Sequence, residues 1–384
     1  MIAQLAHLAQ LSPLRLAARQ VEQRPEARRL ARPLEQMADH YDAVVVGSGY
    51  GGAIAAARLA RAGRRVCVLE RGREFQPGEF PDTLAGAARE FQVRWGTRRF
   101  GRAGGLFDLV ADTEVSVLVG SGLGGTSLIN AGVALRAPDA TFDEHWPSAF
   151  RGNGRAVLDP YYSRAEAMLG STPLPDEPLL PKFAALQRAA AAVDATAVHP
   201  PINVSLTEGP NRFGVPMTAC NLCGDCVSGC NHGAKNTLLQ TYLPDAVAHG
   251  AEAFTEATVR TVLRQDPGAA WTVTFVSGAD GRSRFDAPEL FVTADIVVLA
   301  AGTLGTTEIL FRSRAQGLAL SPRLGERFSG NGDALAWAYD ADEPVGGVGH
   351  GQRPVTAESQ VGPAITGMID LTGRPSPASS LMTR

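Results

Sequence analysis

Lysine is scarce in this 384-residue sequence, and long apolar runs are absent. Lysine occurs only at Lys182 and Lys235, so arginine supplies nearly all of the 36 basic side chains, and the net charge is −3. This balance gives no reason to expect a nucleic-acid partner. No apolar run approaches the roughly 20 residues that span a bilayer, and no secretory signal is recognisable. We therefore expect a cytoplasmic protein that is long enough for two domains.

Cysteine is also scarce, and its distribution excludes an even disulfide framework. Cys67 is expected to be a small core residue, whereas Cys220, Cys223, Cys226 and Cys230 lie together in CNLCGDCVSGC. Their spacing is that of bacterial ferredoxins, in which the fourth cysteine of such a run serves a second cluster. No second run exists in this sequence. Three interpretations stay open: one [4Fe–4S] cluster, a zinc ion on four thiolates, or thiols or disulfides without metal.

The segment YDAVVVGSGYGGAIAAARLARAGRRVCVLERG, which begins at Tyr41, predicts a strand, a tight turn, a helix and a second strand. We expect the strands at Ala43–Val46 and Val66–Leu69. The helix is expected over residues 53–62, because that run contains strong helix formers and no breaker. Gly63 is expected to end it. This order is typical of the first unit of a dinucleotide-binding fold.

Three glycines and one acid in this segment point to a bound dinucleotide. Gly47 permits the tight turn, Gly49 lets the backbone approach a pyrophosphate, and Gly52 lets the helix pack closely on the strand. The helix N-terminus offers free N–H groups to the phosphates. Glu70 lies where a carboxylate binds ribose hydroxyls. The motif alone leaves NAD and FAD open.

A second glycine-dense stretch, EVSVLVGSGLGGTSLINAGVALR, begins at Glu114 and predicts a strand followed by a loop. Its small residues suit a backbone that lies against a flat ring system. Farther on, TEATVRTVLRQ and WTVTFVSG predict a hairpin, in which the backbone of Val259 could hold an adenine.

A later stretch, ADIVVLAAGTLGTTEILFRS, begins at Ala294 and predicts a buried strand at Ile296–Leu299. A helix is expected to begin near Gly305, with Thr303 as its cap. Small residues between the strand and the helix would border a cofactor.

Together these segments resemble the glucose–methanol–choline (GMC) oxidoreductases and, within them, the bacterial cholesterol oxidase branch. The similar stretches are VVVGSGYGGAIAAARLARAGRRVCVLERG, VGSGLGGTSLINAGVAL, CNHGAKNTLLQTYLPDA, and LAAGTLGTTEILFRSRAQG with FSGNGDALA, and they cover roughly residues 41–340. The resemblance implies an α/β fold with a Rossmann-type FAD-binding domain and a discontinuous α+β substrate domain, of which the C-terminal part is missing.

The expected domain order follows from this resemblance. The FAD-binding domain takes residues 41–150 and 235–320, the partial substrate domain with the cysteine-rich loop takes 151–234 and 321–370, an N-terminal arm takes 1–40, and an irregular tail takes 371–384. The arm carries Leu5, Leu8 and Leu11 at helical spacing. A peripheral membrane contact of this arm is kept as an alternative.

The resemblance also assigns cofactor-binding residues. It implies FAD contacts at the nucleotide half for Gly47, Gly49, Tyr50, Gly51, Gly52 and Glu70, at the isoalloxazine for Gly125, Thr126, Asn130, Ala131 and Val133, at the adenine for Val259, and at the closing turn for Gly302. Lys235 is expected to be a surface or capping residue rather than a catalytic one.

The chemistry that the resemblance implies is oxidation of an alcohol. FAD accepts a hydride while a base takes the hydroxyl proton, and O2 or another acceptor then reoxidises the flavin. A sterol-like secondary alcohol is the expected substrate, and hence a place in sterol metabolism. The family's catalytic histidine and its His/Asn partner are expected beyond Arg384, and His350 lies too early in the chain to replace them. Two alternatives stay open: an FAD dehydrogenase whose cysteines carry an Fe–S relay, and a truncated flavin-binding fragment without turnover.

Overall fold

The computed structural model describes residues 29–143, 146–278, 288–333, 335–336 and 342–372. Its helices are α1 (Tyr50–Arg61), α2 (Leu84–Arg89), α3 (Gly154–Leu169), α4 (Pro181–Ala191), α5 (Tyr242–Ala248) and α6 (Gly302–Ala315). Its strands are β1 (His40–Val46), β2 (Val66–Leu69), β3 (Phe91–Trp95), β4 (Arg98–Gly101), β5 (Phe107–Ala111), β6 (Val117–Gly120), β7 (Ala197–Val198), β8 (Gly209–Pro210), β9 (Pro216–Met217), β10 (Glu252–Phe254), β11 (Ala257–Leu263), β12 (Trp271–Ser277), β13 (Leu290–Leu299) and β14 (Met368–Ile369). Within these ranges no helix combines the length and the apolar character needed to cross a membrane. Leu5, Leu8 and Leu11 of the N-terminal arm, and most of the expected tail, lie outside the described residues.

A six-stranded sheet forms the centre of the fold, in the order β10-β2-β1-β13-β12-β11. The first four of these strands run parallel, while β12 and β11 form an antiparallel hairpin at one edge. β1 is almost entirely buried, as the apolar run of a parallel strand covered on both faces should be. The predicted α/β class, the strands of the first motif and the later hairpin are therefore confirmed.

Two helices begin earlier than their sequence signals suggested. α1 begins at Tyr50 rather than at residue 53, because the two glycines after Tyr50 are already helical. α6 begins at Gly302 rather than near Gly305, and Ala301 rather than Thr303 occupies its N-cap. Gly302 has a φ of 74°, which glycine adopts without steric cost. The chain can therefore pass from β13 into α6 with almost no linker.

A second sheet, in the order β4-β3-β5-β6, leads into the second glycine-rich stretch. Asp108 of β5 is fully buried and forms ion pairs with Arg71 at 2.5 Å and with Arg94 at 3.0 Å. Just beyond β6, the backbone N–H of Leu123 donates to the carbonyl of Arg73 at 2.9 Å. These contacts hold the second sheet against the segment that follows β2, and so bring its glycines to the first motif.

A further hydrophobic cluster surrounds the cysteine-rich segment. Its buried members include Leu180 and Phe183 of the α4 region and Ile202, while Cys220 and Cys230 pack against them. β14 pairs with β7 next to α4, and so adds a small sheet to this part of the molecule. The division of the chain into a cofactor domain and a substrate domain stays a prediction.

Candidate functional site

The first glycine loop joins β1 to α1 and is crowded on one side only. A Cβ at Gly47 would lie 2.5 Å from Ala300 O, and one at Gly52 would lie 1.9 Å from Gly47 O. Both positions therefore require glycine if the loop is to pack on β13 and α1 on β1. A Cβ at Gly49 or at Gly51 would meet nothing within 4 Å. The open side lies at the N-terminus of α1, whose free N–H groups favour an anion.

The second glycine stretch packs directly on the first loop. A Cβ at Gly125 would lie 2.8 Å from Gly49 Cα, and Gly125 has a positive φ of 57°. The backbone N–H of Gly124 donates to Ser48 Oγ at 2.9 Å. Two segments that are far apart in the sequence, and that were each predicted to contact the cofactor, thus meet at one place.

Glu70 connects the first glycine loop to the segment that follows β2. Its Oε2 accepts hydrogen bonds from Ser48 N at 3.0 Å and from Ser48 Oγ at 2.5 Å, and its Oε1 accepts one from Gly72 N at 2.9 Å. The carboxylate is buried, with 5% of the residue exposed. Its structural role is thus clear, while its predicted contact with a ribose stays a prediction. Ser48 was missed by the sequence analysis, although it stands between the motif glycines.

β11 begins, and α6 begins, beside the junction of Glu70 with the first glycine loop. The backbone N–H of Ala257 donates to Glu70 O at 2.9 Å, so β11 begins beside the end of β2. Val259 follows on β11, the edge strand of the sheet, and is buried. Gly302 begins α6, and a Cβ there would meet nothing within 4 Å. The structure therefore places Gly302 directly after residues that contact the first glycine loop, and it begins the strand of Val259 beside Glu70. The contacts of Val259 and Gly302 with a cofactor stay predictions.

Tyr50 and Asn130 form a polar pair between the two segments. Asn130 Nδ2 donates to the Tyr50 hydroxyl at 3.0 Å, and the Asn203 side chain contacts the same hydroxyl. Burial raises the pKa of Tyr50, because the phenolate would lose its hydration. Asn130 Oδ1 is buried without a hydrogen-bond partner. An unsatisfied buried acceptor costs about 1–3 kcal/mol, which an N–H or O–H group of a ligand would recover.

The other predicted isoalloxazine residues shape the second segment. Thr126 Oγ1 accepts from Gly120 N at 3.1 Å, which closes the turn after β6. Ala131 is partly exposed, and Val133 forms an isolated bridge with Ile202. Thr126 and Val133 thus have supporting contacts, and the contact of all three residues with a flavin stays a prediction.

The residues present fit FAD on two independent observations. The open space at Gly49 and Gly51 lies at a helix N-terminus, as a pyrophosphate requires. The unsatisfied oxygen of Asn130 lies on the adjoining segment, where a ring with a polar edge would satisfy it. The open space would take the pyrophosphate, and the unsatisfied oxygen would face the flavin ring of the same FAD.

Lys235 is not at the surface, so that part of its prediction is wrong. The residue is 3% exposed, and Nζ donates to Leu128 O at 3.1 Å, to Asn130 O at 2.6 Å and to Cys226 O at 3.0 Å. Burial lowers the pKa of Lys235 to about 8. Its ammonium group does cap backbone carbonyls, and it joins the second glycine segment to the cysteine loop.

The cysteines of CNLCGDCVSGC line one small cavity, together with Lys235 and His232. All of them are free thiols. Burial raises the pKa of Cys220 and of Cys223 to about 12, so these thiols resist ionisation at neutral pH. In the part of the chain that the structure describes, no three Cys, His, Asp or Glu side chains are grouped as a single metal ion would require.

His350 lies on the cysteine loop rather than at the glycine loops. Its backbone N–H donates to Cys223 O at 2.9 Å, and its Nε2 lies 2.5 Å from Ser359 O. These contacts hold His350 at the cysteine loop, and the expectation that it does not replace the family's catalytic histidine stays a prediction.

The family profile described as GMC oxidoreductase matches residues 41–330. The chain is 33% identical over 326 residues to a cholesterol oxidase of Mycobacterium tuberculosis, covering 79% of this chain and 53% of that protein. It is 30% identical over 322 residues to a cholesterol oxidase of Acinetobacter baumannii (77% and 55%) and 27% identical over 314 residues to a long-chain-alcohol oxidase of Arabidopsis thaliana (78% and 37%). The chain thus spans about half the length of the two cholesterol oxidases.

Proposed function

Because the chain belongs to the GMC oxidoreductase family, we propose that it binds FAD as part of an enzyme that oxidises the CH–OH group of an alcohol. The observation that carries this proposal is the packing of Gly125 on Gly49, which joins the open space at Gly49 and Gly51 to a segment suited to a flat ring. Bound FAD supplies the hydride acceptor. The residues of the chain bind and orient the FAD.

Each part of the site has a task in this proposal. The N-terminus of α1 binds the pyrophosphate, and Glu70 with Ser48 keeps the glycine loops together. Asn130 and Tyr50 orient the ring, because the free Asn130 Oδ1 accepts a hydrogen bond from it. Burial of the surrounding residues excludes water from the ring, which strengthens these polar contacts.

For the substrate, we favour a sterol-like secondary alcohol with O2 as the acceptor. The support is the similarity of the chain to two proteins named cholesterol oxidase, at 30–33% identity. The similarity to a long-chain-alcohol oxidase supports only the coarser class, an alcohol.

For the location, we favour the cytoplasm, because all five cysteines are free thiols.

A second candidate is an FAD dehydrogenase that passes electrons to an acceptor other than O2. One observation favours it: the cysteine cavity lies next to the second glycine segment, to which Lys235 joins it. A third candidate is flavin binding by this chain without turnover, and the chain spans about half the length of the two cholesterol oxidases.

The first test is FAD binding by the purified 384-residue chain. We expect one FAD per chain, measured by flavin fluorescence quenching and by absorbance after gel filtration. A chain that folds, as judged by far-UV circular dichroism, and yet fails to bind FAD would contradict the proposal.

The second test separates the three candidates. The FAD-loaded chain is mixed anaerobically with cholesterol, with the corresponding 3-ketone as the matched control, and with a long-chain primary alcohol. Flavin bleaching by cholesterol alone, followed by reoxidation and peroxide formation with O2, supports the sterol oxidase. Bleaching without peroxide on admission of O2 supports the dehydrogenase, and binding of FAD without any bleaching supports flavin binding without turnover.

A further inference from the structure

Lys235 carries a positive charge that the interior of the protein does not balance. Burial lowers the pKa of Lys235 to about 8, so most of the side chain is still an ammonium group at neutral pH. In the part of the chain that the structure describes, no carboxylate forms an ion pair with it. Buried charges are normally paired, because an unpaired charge loses its hydration without compensation. The balancing charge is therefore expected from a group that binds there.

The thiols beside Lys235 do not supply that charge. Cys226 and Cys230 are the groups whose ionised forms would act on the ammonium group. Both cysteines are free thiols, and burial raises the pKa of Cys226, so that this thiol is uncharged at neutral pH. The direct contacts of the ammonium group are with carbonyl oxygens, which carry only partial negative charge.

The ammonium group is fixed against the second glycine segment. Lys235 Nζ donates to Leu128 O at 3.1 Å and to Asn130 O at 2.6 Å. A Cβ at Gly132 would lie 3.9 Å from Lys235 Cε, so the aliphatic part of the side chain runs alongside that glycine. The third bond, to Cys226 O at 3.0 Å, uses the last N–H of the ammonium group. The charge is thus held beside the segment by three hydrogen bonds.

One of these carbonyls belongs to a peptide group at the predicted flavin contacts. The Asn130 carbonyl shares its peptide group with the N–H of Ala131. A hydrogen bond to a carbonyl oxygen polarises its peptide group and makes the N–H a stronger donor. Ala131 is partly exposed, and among the described residues its N–H has no hydrogen-bond acceptor. Asn130 and Ala131 are both residues that the family resemblance assigns to the isoalloxazine.

The second glycine segment is also held by contacts that need no charge. Asn203 N donates to Gly132 O at 2.7 Å. Asn236 N donates to Asn203 O at 2.9 Å, and Val204 forms an isolated bridge with Lys235. A buried ammonium group costs more than such neutral bonds, because it gives up the hydration of a full charge. The charge of Lys235 is explained if it has a use that a neutral group cannot replace.

We propose that Lys235 raises the reduction potential of bound FAD through the peptide group of Asn130 and Ala131. This inference rests on the proposed function, because it requires the flavin beside the second glycine segment. Transfer of a hydride brings two electrons and one proton from the alcohol C–H to the ring, which gains one negative charge, while the hydroxyl proton passes to a base. A nearby positive charge stabilises that negative charge. Lys235 acts through a peptide group, so it is a positioning residue rather than a catalytic one.

The test is the two-electron midpoint potential of the bound FAD, measured at neutral pH by dithionite titration with reference dyes. For the wild-type chain we expect a potential above that of free FAD. A wild-type chain that binds FAD at a potential equal to or below that of free FAD would overturn the inference and leave the proposed function intact. A folded chain that binds no FAD would overturn both, so the two failures are separate results.

A pair of lysine variants tests the assignment to Lys235. Lys235→Met removes the charge and nearly keeps the length of the side chain. Even over about 10 Å, a unit charge in a buried site changes such an equilibrium roughly tenfold, and tenfold is about 30 mV for two electrons, so we expect a potential lower by at least about 30 mV. The matched control is Lys182→Met, because Lys182 Nζ donates to the carbonyls of Pro363 and Ala364 rather than to the glycine segment.

The control should shift the potential less than Lys235→Met does. Far-UV circular dichroism and FAD content show whether each variant folds and binds the cofactor. A folded, FAD-loaded Lys235→Met chain with the wild-type potential, or an equal shift in both variants, would overturn the assignment. If Lys235→Met does not fold or does not bind FAD, the wild-type potential relative to free FAD decides.

Discussion

Ser48→Ala tests the junction of the two glycine segments, because one oxygen atom serves both. Ser48 is fully buried. Its Oγ donates a hydrogen bond to Glu70 Oε2 at 2.5 Å and accepts one from Gly124 N at 2.9 Å. Alanine has nearly the same size, so packing is preserved. The substitution removes a donor to a carboxylate and leaves a buried N–H group without an acceptor.

The magnitude follows from these two losses. A hydrogen bond to a charged group contributes about 1.5–3 kcal/mol, and an unsatisfied buried N–H costs about 1–3 kcal/mol. Glu70 keeps its bonds from Ser48 N and from Gly72 N, so we expect a combined loss in the lower part of that sum, roughly 2.5–4 kcal/mol in the free energy of unfolding. FAD affinity should fall as well, by about tenfold for each 1.4 kcal/mol of lost loop packing.

Urea unfolding followed by far-UV circular dichroism measures the effect, with and without FAD. The control is Ser116→Ala, since Ser116 is exposed and its Oγ lies 3.5 Å from Asp112 O. That control should stay within about 0.5 kcal/mol of the wild type. If Ser48→Ala unfolds at the same urea concentration as the control and binds FAD equally well, the reasoning about the junction is refuted.

Three further substitutions test other parts of the site. Gly49→Ala should leave the urea midpoint nearly unchanged, because its Cβ meets nothing within 4 Å, yet weaken FAD binding at least about tenfold; unchanged binding would show that the pyrophosphate lies elsewhere. Gly47→Ala should instead destabilise the fold by several kcal/mol, because its Cβ would lie 2.5 Å from Ala300 O, and a wild-type midpoint would contradict this. Asp108→Asn should cost about 3 kcal/mol in urea unfolding, because two arginines lose a buried partner; a loss below about 1 kcal/mol would show that solvent already screens them.

Local signals predicted the central sheet well. The strand at Val66–Leu69 has the predicted bounds, and the hairpin of β11 and β12 lies where alternating apolar residues and a polar turn indicated it. The roles of Gly47 and Gly52 were also readable, because a tight turn and a close helix leave no other residue type. These features depend on neighbours in the sequence or on a fixed spacing.

Contacts between distant segments could not be predicted in the same way. The residues next to Lys235 in the sequence do not indicate that three carbonyls from two other segments surround its ammonium group. The meeting of Gly125 with Gly49 likewise depends on how the second sheet packs. The spacing of the cysteines suggested a cluster, but only the folded loop places Cys230 at the same cavity as the others.

The position of β13 in the central sheet has a consequence for the synthesis of the chain. β1 ends at Val46 and pairs with β13, which begins only at Leu290. At about 5–20 residues per second, a ribosome needs roughly 12–50 seconds to make the residues between them. During that time one edge of an apolar strand has no native partner, which favours aggregation. The nascent chain should therefore depend on chaperones, and capture FAD only after α6 has been made.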